Sequence, residues 1–316
     1  MESSNQSLQE NNEIIADNAN DATVEKKEKK SVIDRETGRL KKGFLSGAVL
    51  KNIAIVTMFI DHFAASIFES MLNFMFVDDG YGNIIDINGA LLKEQIMKTA
   101  PWFWMDWMGD PQILLTVDLI LRKIGRIAFP IFCFFLIEGF KHTRSKLKYA
   151  IRLGIFALVS EIPFDMAFMG NTFEFIHQNV FFTLLIALLG MWALSEIEKK
   201  FTDPATGKIK WYGRLALAAT TIAACLISLW LRTDYELVGV AFILIMYFFR
   251  HNIIAENVAG GIAFCAVTSE IPTAQLGLAA CTFYNGKRGR QNKYFFYIFY
   301  PAHLLLLALF RMYLGI

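Results

Sequence analysis

Hydrophobic residues gather along the chain into nine runs separated by short polar connections. A helix that crosses a bilayer needs about 20 mostly apolar residues. The runs are Ala48–Phe76, Ile113–Phe140, Tyr149–Met169, Asn179–Leu194, Leu215–Leu231, Leu237–Phe249, Ile253–Ser269, Thr273–Tyr284 and Tyr294–Leu314. They predict an all-α, polytopic transmembrane helix bundle of about nine spans. The sixth and eighth runs are short for a full crossing and suit burial among neighbours or a re-entrant path. Residues 1–42 are polar and rich in Asn, Glu and Lys, which predicts a disordered tail ahead of a membrane domain over 43–316. The tail has no apolar run of the kind a cleavable signal peptide needs, so the first run is expected to act as the insertion signal.

The connections alternate in charge. The flank before the first run carries Lys26, Lys27, Lys29, Lys30, Arg35, Arg39, Lys41 and Lys42. The second connection reads KHTRSKLK over Lys141–Lys148, and the eighth reads NGKRGRQNK over Asn285–Lys293. The connection at 170–178 has no Lys or Arg. Positive charge stays on the cytoplasmic side, so the N-terminus is expected there, in the cell membrane. The stretch 77–112 is then an external loop, and its PWFWMDWMGDP segment (Pro101–Pro111) reads as an aromatic interfacial element or a lid.

Composition agrees with a membrane chain. Hydrophobic residues make up 55%, with 29 Phe, and only 19% are charged, against about 25% in soluble domains. A net charge of +2 gives no field for a nucleic-acid partner. Cys133, Cys225, Cys265 and Cys281 all lie in apolar runs without metal-ligand spacing, so no metal is expected.

The informative residues are the ionisable ones inside the runs, where each charge costs about 2.5–3.5 kcal/mol on insertion scales. Asp61 and His62 lie some fourteen residues into the first run, roughly 21 Å deep at the helical rise. Asp118, Arg122 and Arg126 form an i, i+4, i+8 stripe in the second. The third holds Glu161 and Asp165 around Pro163, and the fourth opens with Asn179 and Thr183. Asp234 and Tyr235 follow the fifth, and Tyr300 and His303 surround Pro301 in the last. Pro163 and Pro301 are expected to interrupt their helices. The ionisable groups and amides share one depth, between the midplane and the outer surface, which predicts a single polar cavity.

Four stretches carry a resemblance: LKNIAIVTMFIDHF (Leu50–Phe63), IGRIAFPIFCFFLIEGFKHTRSKLKYAIRLGIFALVSEIPFD (Ile124–Asp165), NVFFTLLIALL (Asn179–Leu189) and YFFYIFYPAHLLLL (Tyr294–Leu307). With DYELVGV (Asp234–Val240), they resemble the TraX family of membrane proteins over most of residues 45–310. The resemblance implies a membrane acyltransferase that uses a transmembrane histidine and acetyl-CoA, the founding member acetylating the N-terminus of a pilin. It places the catalytic histidine at His62; His303, near the middle of the last run, is the reserve candidate. Acyl transfer needs a base and donors for the developing oxyanion. Glu161 or Asp165 would set the histidine tautomer. Arg126, Asn179 or Thr183 would hold the oxyanion. Asp61, Asn179, Thr183, Asp234, Tyr235 and Tyr300 would line the acceptor side. The acceptor would be a pilin-like peptide N-terminus, a glycan, or a small amine or alcohol. Arg144, Lys146, Lys148 and Arg152 would form a cytoplasmic mouth for the phosphates of CoA. The rival class is a secondary transporter, which also places charges and broken helices at mid-membrane.

Overall fold

The structure is a computed structural model. It describes residues 43–316 except 79–83, 87–88, 268–270 and 292, together with positions 34, 37 and 40. The tail expected over 1–42 therefore lies almost wholly outside the described residues.

Every apolar run forms helix. The first is α1 (Gly47–Phe63), a π-helical turn (Ala64–Phe68) and α2 (Glu69–Met75), stacked end to end. A two-stranded antiparallel hairpin follows, β1 (Phe76–Asp78) paired with β2 (Ile84–Asp86) in the register Phe76 opposite Asp86. Next come α3 (Gly89–Thr99) and a 3₁₀ turn (Asp106–Gly109). The second run becomes two helices, α4 (Pro111–Gly125) and α5 (Ala128–His142). The rest are α6 (Lys146–Phe168), α7 (Val180–Phe201), α8 (Trp211–Trp230), α9 (Glu236–Phe248), α10 (Ile253–Val267), α11 (Ile271–Thr282) and α12 (Lys293–Leu314).

Local chemistry fixes several starts. Asp110 caps α4 by accepting from the amides of Gln112 (2.9 Å) and Ile113 (3.3 Å), with Pro111 at the first helical position. Ser145 caps α6 and Asn179 caps α7. The expected interruptions lie elsewhere. Pro163 and Pro301 sit inside helices that run unbroken. The break falls at Arg126–Ile127, where Pro130, four residues on, has no N–H for the Arg126 carbonyl.

Among the described residues four helical segments, Gly47–Met75, Val180–Phe201, Trp211–Trp230 and Tyr294–Leu314, are long and apolar enough to cross a membrane. Many of their side chains face outward. Ile222 and Leu226 on α8 are 59% and 54% exposed, a surface that suits lipid and not water. This is the build of a helical membrane protein.

The main core joins α1 to all of α5 through α12, with α6 and α12 extensively packed. A second cluster lies at one end of the bundle, where Phe103, Trp104 and Trp107 pack against Phe68 and Phe310. Ring centroids of Phe103 and Phe310 stand 5.2 Å apart, edge to face, and those of Phe68 and Trp107 6.0 Å apart. The aromatic segment is thus a packed cap over the ends of α2, α4 and α12, and none of its described residues lines the polar cavity presented next.

Candidate functional site

A cavity of about 260 Å³ opens between α1, α4, α5, α6 and the turn before α9. Asp61, His62, Arg122, Arg126, Asp234, Tyr235 and Tyr300 line it, joined by Glu69, His177 and Gln178. Adjacent helical residues project about 100° apart, and Asp61 and His62 accordingly take different partners. Asp61 Oδ2 accepts from Arg122 Nη1 at 2.8 Å. His62 turns to α12, where its Nδ1 lies 2.7 Å from His303 Nε2. The two rings are within 6° of parallel.

The hydrogen-bond pattern assigns the protons. His303 Nδ1 lies 2.8 Å from the Phe299 carbonyl, which only accepts, so that nitrogen carries hydrogen. A neutral His303 then offers a lone pair at Nε2, and His62 donates to it from Nδ1. The Nε2 of His62 keeps its lone pair, and the ring lines the cavity. Phe168 and Tyr300 meet the His62 ring edge-on at 5.4 and 5.8 Å and hold its plane. The arrangement is a proton acceptor oriented by a second histidine, which is oriented in turn by a backbone carbonyl.

Arg126 ends α4 at the break and donates from Nη1 to the Tyr235 hydroxyl at 3.3 Å. Tyr235 stacks on Phe129 with centroids 3.8 Å apart. It belongs to a strained turn: Arg232, Tyr235 and Glu236 all have positive φ, at 49°, 62° and 41°. Such residues cost about 1–3 kcal/mol each and persist only where the surroundings hold them. Here the amide of Gln178 donates to Arg232 O (3.0 Å) and that of Asp234 to Gln178 O (2.8 Å). Ser228 Oγ adds a bond to Glu236 O at 2.9 Å, and the Thr183 hydroxyl donates to the Asp234 carbonyl.

The remaining expected residues stand behind the cavity. Glu161 pairs with Asn179, whose Nδ2 donates to it and to Ala157 O at 2.8 Å. Asp165 Oδ2 accepts from the Glu174 amide at 2.8 Å. Neither acid touches His62, because α6 turns Phe164 and Phe168 to the cavity instead. The hydrogen-bond partner of His62 is His303 instead. Asn179 and Thr183 do not line the cavity either.

A second cavity of about 650 Å³ lies on the other side of a wall formed by Met58, Phe132, Val180 and Tyr300, which line both. Its floor is apolar. Its cations are Lys51, Arg152 and Arg288, none of which has a carboxylate ion-pair partner among the described residues. Lys51 Nζ sits 4.9 Å from the Phe135 ring centroid and 5.4 Å from that of Phe296. Of the four residues expected at a basic mouth, only Arg152 lines this cavity. Lys146 is tied to Ser195 (2.5 Å) and Glu196 (3.3 Å), and Arg144 and Lys148 do not line it. Sequence reasoning passed over Lys51 and Arg288; Lys51, a cation eleven residues before His62 in an apolar run, was the available signal. Among the described residues no group of His, Cys, Asp and Glu is placed to hold a metal.

The family described as TraX protein matches residues 46–311. A Dichelobacter nodosus protein named "Probable fimbrial assembly protein FimC, serogroup H1" is 30% identical over 220 residues, covering 61% of this chain and 84% of that protein. No solved structure matches the chain.

Proposed function

Because the chain belongs to the TraX family, we propose that it is a multi-pass acyltransferase of the cell membrane, moving an acetyl or other acyl group from acetyl-CoA to an amine or hydroxyl acceptor. The observation that carries this reading is the His62–His303–Phe299 carbonyl chain, which leaves a proton-accepting nitrogen on a polar cavity.

The donor fits the second cavity. Lys51, Arg152 and Arg288 offer cations to phosphates, and the apolar floor toward Tyr300 suits a thin thioester arm. The donor supplies an acyl carbon activated as a thioester. His62 Nε2 takes the acceptor's proton as the acceptor nitrogen or oxygen bonds to that carbon. Arg126, held by Tyr235, offers N–H donors to the carbonyl oxygen as charge develops there. The carbon–sulfur bond then breaks, and His62 returns the proton to the departing sulfur. One acyl group and one proton have exchanged places, and His62 is restored. The name of the Dichelobacter nodosus relative favours a subunit of a surface fibre as acceptor, with a peptide N-terminus ahead of a glycan or a small amine or alcohol.

The charge alternation orients this site with the second cavity toward the cytoplasm, in a bundle of about nine spans. A cysteine placed in 170–178 then reacts with an impermeant thiol reagent from outside, and one in 286–292 reacts only after permeabilisation. The reverse labelling pattern refutes the orientation. On the donor side, Lys51→Gln and Arg288→Gln are each expected to raise the KM for acetyl-CoA about tenfold, the share of one charge-assisted phosphate contact, with kcat little changed. Unchanged KM in both variants removes the donor from this cavity.

A further inference from the structure

The π-helical turn that begins two residues after His62 sets which side chains beyond it face the cavity. In an unbroken α-helix, position 69 lies eight residues from Asp61 and about 80° round the axis from it. The segment Ala64–Phe68 is wider: the amide of Glu69 reaches back to the Ala64 carbonyl, five residues away. A wide turn of this kind absorbs one extra residue, so Glu69 stands about seven α-helical steps from Asp61, within roughly 20° of its direction. Asp61, Ala65 and Glu69 do all line the cavity.

The two carboxylates meet one guanidinium. Arg122 Nη1 lies 2.8 Å from Asp61 Oδ2, and its Nε lies 3.1 Å from Glu69 Oε1. A guanidinium has five N–H donors in a rigid plane, so a carboxylate at each of two positions fixes the plane and leaves the other donors free to point elsewhere. Arg122 is one of the residues lining the cavity that His62 lines. Glu69 is the half-exposed jaw, with 45% of its side chain accessible against 12% for Asp61.

We propose that Glu69 is a positioning residue: the π turn brings it beside Asp61 as the second jaw of a carboxylate clamp that aims the Arg122 guanidinium at the acyl carbonyl beside His62. Arg122 then shares oxyanion support with Arg126. This rests on the acyl-transfer reading. Among the described residues Glu69 has no ion-pair partner other than Arg122, so its influence on turnover passes through Arg122.

The test is a double-mutant cycle on the full-length protein in liposomes. Arg122→Gln is expected to lower kcat about 100-fold, within the range for loss of an oxyanion donor. Glu69→Gln is expected to lower kcat about tenfold with the KM for acetyl-CoA within about twofold of wild type. Glu69→Gln added to Arg122→Gln costs nothing further, because the clamp then has nothing to aim. Losses that multiply in the double variant, or wild-type kcat in Glu69→Gln, overturn the proposal. The same four proteins are also compared by thermal unfolding. Should wild type transfer no acyl group, non-additive shifts in Tm retain the clamp and dismiss the reaction alone, and additive shifts dismiss the clamp as well.

Discussion

His62→Gln is expected to lower acyl transfer by about 10²–10⁴-fold while the protein inserts and folds normally, the usual range for a positioned general base. Gln keeps a hydrogen-bonding group at the end of the side chain but takes no proton at neutral pH, so it separates packing from proton transfer. His303→Gln is expected to cost less, about tenfold to 100-fold. His303 is 5% exposed and absent from the cavity wall, and its part is to accept from His62 Nδ1 and fix which nitrogen faces the acceptor. Gln at 303 retains an acceptor oxygen for that bond, at a less constrained position. The order of the two losses is the informative readout. A larger loss in His303→Gln than in His62→Gln would move the base to α12, and full activity in both would remove histidine base catalysis from the account.

Gly125→Ala is the substitution with the largest expected effect on the fold of the site. A Cβ at Gly125 would overlap Asp61 Cβ and its Oδ1. The neighbour is the near end of a short side chain held by Arg122, so α4 has to move away from α1. Overpacking of this kind costs about 1–3 kcal/mol. It also carries Arg122 and Arg126, both on or at the end of α4, out of reach of Asp61 and Tyr235. The variant should lose both Tm and activity. Gly154→Ala is the control, since a Cβ there meets only Leu185 at 3.6 Å, an ordinary contact. Equal Tm and activity in the two variants would mean that α1 and α4 are not packed backbone to side chain as described.

The helices were legible in the sequence because lipid and a packed bundle demand the same thing of a segment, a long apolar run with its backbone bonds satisfied internally. The cavity was partly legible for a related reason. Asp61, His62 and Arg126 are costly in apolar runs, and they line one cavity with Asp234 and Tyr235, which follow the fifth run at the same outer level. Depth alone does not say which face of a helix a residue occupies. Glu161 and Asp165 share the depth and point away from the cavity, where they staple Asn179 and the Glu174 amide. Glu69 is not legible in the sequence, because α-helical spacing puts it on another face and nothing in the sequence announces a π turn. The break at Arg126–Ile127 carries a readable sign in Pro130, whereas Pro163 and Pro301 lie in continuous helices. Charge density in a connection does not show which of its cations reach a cavity. Lys146 is instead committed to Ser195 and Glu196, and the cations on the cavity come from three separate elements.

The central claim is turnover, and the most direct measurement is thiol release from acetyl-CoA by the purified protein in liposomes, with and without a peptide bearing a free N-terminus, beside His62→Gln. The account predicts release that depends on the acceptor, an acetylated peptide of matching amount by mass spectrometry, and neither product from the variant. Absence of thiol release from wild type, together with ion-coupled uptake of solute into the same liposomes, would contradict it and make the protein a transporter.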